Sequence, residues 1–218
     1  MELNGKKIAV LGDSITAGTG TTQGADSTFW AIMARRTGAH VQGLGIGGTS
    51  IAPQLDPMYP EIDLPYFATR VKDIAPDTDV ILVFGGTNDY GHGDTPFGAP
   101  GDGTEETFCG AFSVLCRALI EHCPQATVVV LTPLHRADEE RPINERGIRC
   151  THTLADYVAA ERTIAAWYAL PVLDLFSVSG LQPNVPLLRQ RYMPDGLHPN
   201  DAGHRRIADR VIGFLSAL

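Results

Sequence analysis

Long apolar runs are missing from this chain of 218 residues, in which no stretch approaches the ~20 consecutive apolar residues that a membrane-spanning helix needs. The opening MELNGKK leads into an apolar run of only five residues, shorter than the core of a secretory signal, so a cytoplasmic protein is expected. Positive charge is scarce as well. Lys+Arg 17 against Asp+Glu 25 gives a net charge of −8, which repels phosphate backbones and anionic lipid and argues against nucleic acid and against stable membrane association. Cysteine is limited to four, and no Cys-x-x-Cys occurs. Cys109, Cys116 and Cys123 recur every seven residues, two helical turns or ~10 Å apart, too far to share one metal ion. With Cys150 they read as small buried hydrophobes of a reducing compartment. Neither an internal repeat nor a long linker divides the sequence. One domain over residues 1–218 is expected, long enough to bury roughly 70% of its unfolded surface. Small molecules are the favoured ligands, and a homo-oligomer stays open.

What is present alternates. Residues 7–11 (KIAVL), 79–84 (DVILVF) and 126–132 (ATVVVLT) are short continuous apolar runs, the form of strands covered on both faces of a parallel sheet. Residues 40–44 and 171–175 are weaker candidates. Helical patterns lie between them over 27–37, 107–122, 151–169 and 201–218, the last capped by Asn200 or Asp201. Strands alternating with helices imply right-handed βαβ units and a three-layer α/β/α sandwich. Three connections resist assignment: 51–65, rich in proline; 91–103, mixing glycine, proline and aspartate; and 136–149, dense in charge. Long connections of this kind are often functional, so at least one should border the site.

In open parallel sheets, ligands bind beyond the carboxyl ends of the strands. The first strand delivers Gly12-Asp13-Ser14 there, the second Gly45-Ile46-Gly47-Gly48-Thr49-Ser50, and the third Gly85-Gly86-Thr87-Asn88-Asp89. Asp195-Gly196-Leu197-His198-Pro199 precedes the last helix. A neutral hydroxyl is a poor nucleophile and needs a base, a group that orients the base, and donors aimed at the developing oxyanion. Ser14 supplies the hydroxyl, His198 the base and Asp195 the orienting carboxylate. The backbone N–H groups of Ser14 and Gly48 and the side-chain amide of Asn88 supply the donors. No metal is assigned, because His92 and Asp94 lack a third ligand nearby, and no cofactor is required.

Together, GDSIT, GIGGTS, GTND and DGLHP resemble the four ordered blocks of the SGNH hydrolases, also called the GDSL esterase/lipase family, over residues 7 to about 200. The resemblance implies Ser14 as nucleophile, Gly48 and Asn88 as oxyanion donors, Asp195 and His198 as the rest of a triad, and a flavodoxin-like sheet of about five parallel strands. Two positions depart from the family pattern. Ile15 replaces the eponymous leucine, and Gly43 stands where many members carry asparagine, which leaves Gly47 as the reserve for the role given to Gly48.

Residues outside this set have simpler readings. Asp13 holds the turn, Asp89 fixes the loop around Asn88, and His204 lies on the surface of the last helix. Two readings from other classes compete with catalysis. Residues 43–48 satisfy G-x-G-x-x-G, but a dinucleotide site requires a helix to start at the last glycine, and Pro53, Pro57 and Pro60 oppose one. A non-catalytic carbohydrate- or acyl-binding module on the same fold is opposed by the intact Ser/His/Asp set. The expected enzyme is therefore a serine esterase that cleaves small carboxylic esters through an acyl-enzyme, with activity falling as pH drops through the ordinary imidazole range near ~6.5. The small, polar 91–103 segment favours short acyl groups such as acetyl, carried on a sugar; a lysophospholipase or thioesterase is the alternative. Tyr59, Tyr66 and Phe67 offer stacking or, more simply, packing. Arg136, Arg141, Arg146 and Arg149, interleaved with acids, read as a solvated or subunit-contact loop.

Overall fold

A computed structural model describes residues 1–56 and 64–218. Pro57, Tyr59 and Pro60 lie outside the described residues. Five strands, β1 (Lys7–Gly12), β2 (His40–Gly45), β3 (Val80–Phe84), β4 (Thr127–Leu131) and β5 (Val172–Leu173), form one sheet in the order β2-β1-β3-β4-β5. All four pairings are parallel, and this order is that of the flavodoxin-like folds.

The apolar runs are continuous because the inner strands are covered twice. Ala9, Leu11, Ile81, Val83, Val128 and Val130 belong to the core on one face, and Ile8, Val10, Val80, Leu82, Val129 and Leu131 to the core on the other. Side chains alternate across a strand, so each run fills both cores. Val10 and Leu82 are fully buried, and burying such a side chain contributes about 1.5–3 kcal/mol. The edge strand β2 is the exception, since half of its residues are exposed and none is buried.

Helices close both faces. On one side α2 (Phe29–Thr37) packs against α8 (Asp201–Ala217). On the other, α4 (Phe108–His122) packs against α5 (Leu154–Trp167). The apolar residues at helical spacing pack inward: Phe108, Ala111, Phe112, Leu115 and Leu119 on α4 and Ile207, Ala208, Val211 and Leu215 on α8 are buried, and Ile212 of the same α8 face is partly buried against the core. The first turns follow side-chain caps. Thr28, rather than Ser27, caps α2; Thr153 and Asp156 form a capping box on α5; Asn200 accepts from Ala202 N and Gly203 N at the start of α8.

The other α-helices among the described residues are short: α1 (Ser14–Ala17), α3 (Thr87–His92), α6 (Leu175–Val178) and α7 (Pro186–Tyr192). A 3-10 turn spans Phe67–Asp73. No helix among the described residues is long and apolar enough to cross a membrane. Chain direction across the sheet reverses at β1, whose neighbours are β2 and β3. Such a switch point opens a crevice at the carboxyl ends of the strands, and both α1 and α3 start there.

Candidate active site

Ser14 is the first residue of α1, immediately beyond β1. Asp13 caps this one-turn helix by accepting from Ile15 N at 2.9 Å. Burial raises the Asp13 carboxyl to about 7, against the lowering effect of the Ile15 N–H. Asp13 therefore does the structural work expected of it. Across the crevice, Ser14 Oγ lies 3.0 Å from His198 Nε2, and His198 Nδ1 lies 2.7 Å from Asp195 Oδ2. The other carboxylate oxygen, Oδ1, accepts from Leu197 N at 2.8 Å and His198 N at 2.7 Å. Burial would raise the Asp195 carboxyl, but these N–H groups and the imidazole outweigh it and hold the group below its ordinary range. With Nδ1–H donated to Asp195, Nε2 is left to accept from the Ser14 hydroxyl.

Backing surfaces hold the imidazole. A Cβ on Gly20 would lie 3.0 Å from His198 Cβ, so only a glycine passes this close behind it, and Thr22 N and Oγ1 donate to Asp201 at 2.8 and 2.6 Å just beyond the histidine. From the other direction, Ala137 N donates to Gly196 O at 2.7 Å, tying the segment after β4 to the Asp195–His198 turn.

The turn after β2 brings the second block to the nucleophile. Ile46 N donates to Gly12 O at 3.2 Å, and Thr49 Oγ1 donates to Ile46 O at 2.8 Å, closing a four-residue turn around Gly47 and Gly48. A Cβ on Gly47 would lie 3.9 Å from Ser14 Cβ, while Gly48 adopts the left-handed φ of +78°. The N–H groups of Gly47 and Gly48 donate to no acceptor among the described residues. Ser14 N, at the first position of α1, is likewise outside the intrahelical ladder.

Asn88 is 5% exposed on α3 and donates from Nδ2 to Thr49 O at 2.8 Å, leaving the second amide hydrogen free. Its neighbour Asp89 accepts from Ile51 N at 3.0 Å and Ala52 N at 2.9 Å, so the proline-rich connection does border the site. Burial raises the Asp89 carboxyl to about 6 in spite of those donors. The structure thus brings Ser14, Asp195 and His198 into one hydrogen-bonded chain and joins Asn88 to the Gly47–Gly48 turn.

Gly43 has a local cause. A Cβ there would run into the Trp30 indole, whose Nε1 donates to Thr16 O at 2.8 Å and so holds the ring against β2 at Gly43. The glycine-rich stretch 43–48 leads into no helix through residue 56, which removes the geometry a dinucleotide needs.

Several expectations are corrected. His204 is fully buried instead of lying on the surface: its Nδ1 accepts from Phe29 N at 3.1 Å and its ring stacks on Phe29. The arginine-rich segment 136–149 is packed onto α3. Arg136 is 4% exposed and donates to Thr87 O at 3.0 Å and Glu145 at 2.6 Å, while Arg136 and Arg141 both lie over the Tyr90 ring. Arg146 pairs with Asp94 and Asp56, and of the four only Arg149 remains exposed. Phe67 is core, Tyr66 donates its hydroxyl to Glu105 at 2.9 Å, and Cys150 is half-buried while the other three cysteines are buried. Residues 93–98 line a cavity of about 290 Å³ with Tyr157, His152 and Asn144, and none of Ser14, Gly48, Asn88 and His198 is in its described lining. Among the described residues no cluster suits a metal ion. Arg70 carries no sequence motif, yet it is buried and donates to Gly12 O at 3.0 Å and Thr49 Oγ1 at 3.1 Å, contacts that only the fold brings together.

Sheet order and layering define an α/β sandwich of the flavodoxin-like type, and the chain belongs to the GDSL-like lipase/acylhydrolase family, whose sequence model matches residues 10–206. It is an acyl hydrolase acting on carboxylic esters. A solved structure from Lactobacillus plantarum is 33% identical, covers 98% of each chain and superimposes with a TM-score of 0.82. The GDSL lipase of Mycobacterium tuberculosis is 26% identical over 96% of this chain and 81% of that protein. The aryl esterase of M. smegmatis, 20% identical over 98% of this chain and 99% of its own with a TM-score of 0.69, shares the fold.

Proposed function

We propose that the protein is a serine esterase of small carboxylic esters, with short acyl groups such as acetyl on a carbohydrate as the substrate class. One observation carries the reading: the chain of contacts from Ser14 Oγ to His198 Nε2 at 3.0 Å and from His198 Nδ1 to Asp195 Oδ2 at 2.7 Å. Ser14 Oγ attacks the ester carbonyl while His198 Nε2 takes its proton, and Asp195 steadies the imidazolium. The oxyanion accepts from Ser14 N, Gly48 N and the free Asn88 amide hydrogen, with Gly47 N in reserve; one such donor is worth about 3–4 kcal/mol of transition-state stabilisation. His198 then protonates the departing alcohol. Water, deprotonated by the same nitrogen, releases the acid and restores the serine.

Gly47, whose Cβ would lie 3.9 Å from Ser14 Cβ, leaves no apolar side chain there to line a long acyl chain, which supports a short one. The test is turnover of nitrophenyl esters from acetyl to palmitoyl and of acetylated sugars by wild type and Ser14→Ala. Acetyl esters should be turned over fastest and the variant should lose at least 10³-fold. Unchanged turnover in the variant refutes the nucleophile; a palmitoyl optimum replaces the short-chain reading with a lysophospholipase or thioesterase.

A further inference from the structure

Oxygens from three separate pieces of the site converge on one guanidinium. Arg70, in the Phe67–Asp73 turn, is 2% exposed. Its Nη1 donates to Gly12 O at 3.0 Å and to Thr49 Oγ1 at 3.1 Å, its Nη2 donates to Leu44 O, and its plane rests over the Phe67 ring with the guanidinium carbon 5.4 Å from the centroid. Gly12 O lies two residues before Ser14, and Leu44 is the penultimate residue of β2. Thr49 closes the turn that carries Gly47 and Gly48. The geometry points to Arg70 as a positioning residue for the oxyanion hole, clamping the 46–49 turn to the nucleophile turn. The inference rests on the proposed serine mechanism.

Three features distinguish this from simple packing. First, the acceptors lie at the carboxyl ends of β1 and β2 and in the turn that follows β2, the edge of the sheet on which the site is built. Second, the hydrogen bonds are in series: Arg70 Nη1 donates to Thr49 Oγ1, which donates to Ile46 O, while Ile46 N donates to Gly12 O. A shift of the guanidinium therefore moves the Gly47–Gly48 N–H groups relative to Ser14. Third, Asn88 Nδ2 donates to the carbonyl of the same Thr49, so one residue links the cation to the side-chain donor. Only a planar fork of donors reaches three such acceptors at once; a lysine ammonium is a single point. Donors misplaced by about 1 Å lower rates by about 10²-fold.

Arg70→Lys, Arg70→Met, Thr49→Val and Thr49→Ser in the full chain test the clamp with nitrophenyl acetate, folding being checked by circular dichroism. Arg70→Lys and Arg70→Met should lower kcat about 10–100-fold with KM within about threefold. Thr49→Val should lose about 10-fold in kcat, and Thr49→Ser, which keeps the hydroxyl, should recover most of that loss. Combined with Asn88→Ala, Arg70→Lys should lose less than the product of the two single losses, because both act on one oxyanion. A rise in KM at unchanged kcat, or fully multiplicative losses, overturns the clamp. If the Arg70 variants do not fold, equal kcat in Thr49→Val and wild type overturns it alone. Ser14→Ala and Asn88→Ala separate the two levels: if they leave turnover intact the serine mechanism itself fails, whereas if they abolish it and the Arg70 and Thr49 variants match wild type, only the clamp fails.

Discussion

Asp195 spends both carboxylate oxygens on one short turn. Oδ1 takes two backbone N–H groups and Oδ2 takes the imidazole, so the residue fixes the turn and the tautomer together. Asparagine can replace the first function through its carbonyl, but its NH₂ then faces His198 Nδ1 and forces the proton onto Nε2, where it can no longer accept from Ser14. Asp195→Asn is expected to keep the fold and to lower kcat about 10³–10⁴-fold on nitrophenyl acetate. A loss below threefold in steady-state assays, with circular dichroism unchanged, would remove Asp195 from the mechanism. The same reasoning separates Asp195 from Asp13, whose carboxyl faces the Ile15 N–H and is buried beside the nucleophile without touching the histidine.

At the scale of elements, the helix that follows the triad turn is started by a side chain. Asn200 Oδ1 accepts from Ala202 N at 3.0 Å and Gly203 N at 3.1 Å, and its Nδ2 donates to Arg191 O at 3.0 Å, so it joins α7 to α8 directly after His198. Asn200→Ala should cost about 1 kcal/mol and lower Tm by about 2–4 °C in a chain of this size, read by thermal denaturation; an unchanged Tm would mean that water replaces the cap without loss. Caps, apolar runs and periodic faces are local, and for that reason β1, β3, β4, α4 and α8 were legible in the sequence to within a residue or two. β2 was legible only weakly because an edge strand, half exposed and interrupted by Gly43 under Trp30, carries no continuous apolar signal. α3 escaped because TNDYGH has neither length nor periodicity, and its helix is held by Arg136 from a segment about fifty residues away. The three strand-end blocks and the block before the last helix could be read because their residue types are chemically unusual. Arg70 and the burial of Arg136 and His204 could not, since an isolated arginine or histidine looks the same on a surface as in a core.

For the whole molecule, the same crevice concentrates buried acids. Burial raises Asp13 to about 7 and Asp89 to about 6, and it pushes Glu161, 1% exposed against Gly86, well above the ordinary carboxyl range. His204 is the opposite case, lowered by burial to about 4. The signs follow from linkage. In the unfolded chain an aspartate loses its proton near pH ~3.9, whereas folded Asp13 keeps it to about 7; stability from this group is complete below the lower value and is lost as pH rises through the upper one. Folded His204 resists protonation, so its contribution is complete above ~6.5 and is lost as pH falls toward about 4. Wild type therefore superimposes opposing slopes between those limits, and its Tm profile alone cannot separate them. Asp13→Asn can, because asparagine still accepts from Ile15 N and cannot ionise. The difference in unfolding free energy between Asp13→Asn and wild type, read from denaturation at each pH, should grow in favour of the variant as pH rises from 4 to 7 and then level off, with a total span on the order of 4 kcal/mol. A difference that stays constant from pH 4 to 8 would mean that Asp13 ionises in the folded protein as it does in water, and that Arg70 with the Ile15 N–H offsets the whole penalty of its burial.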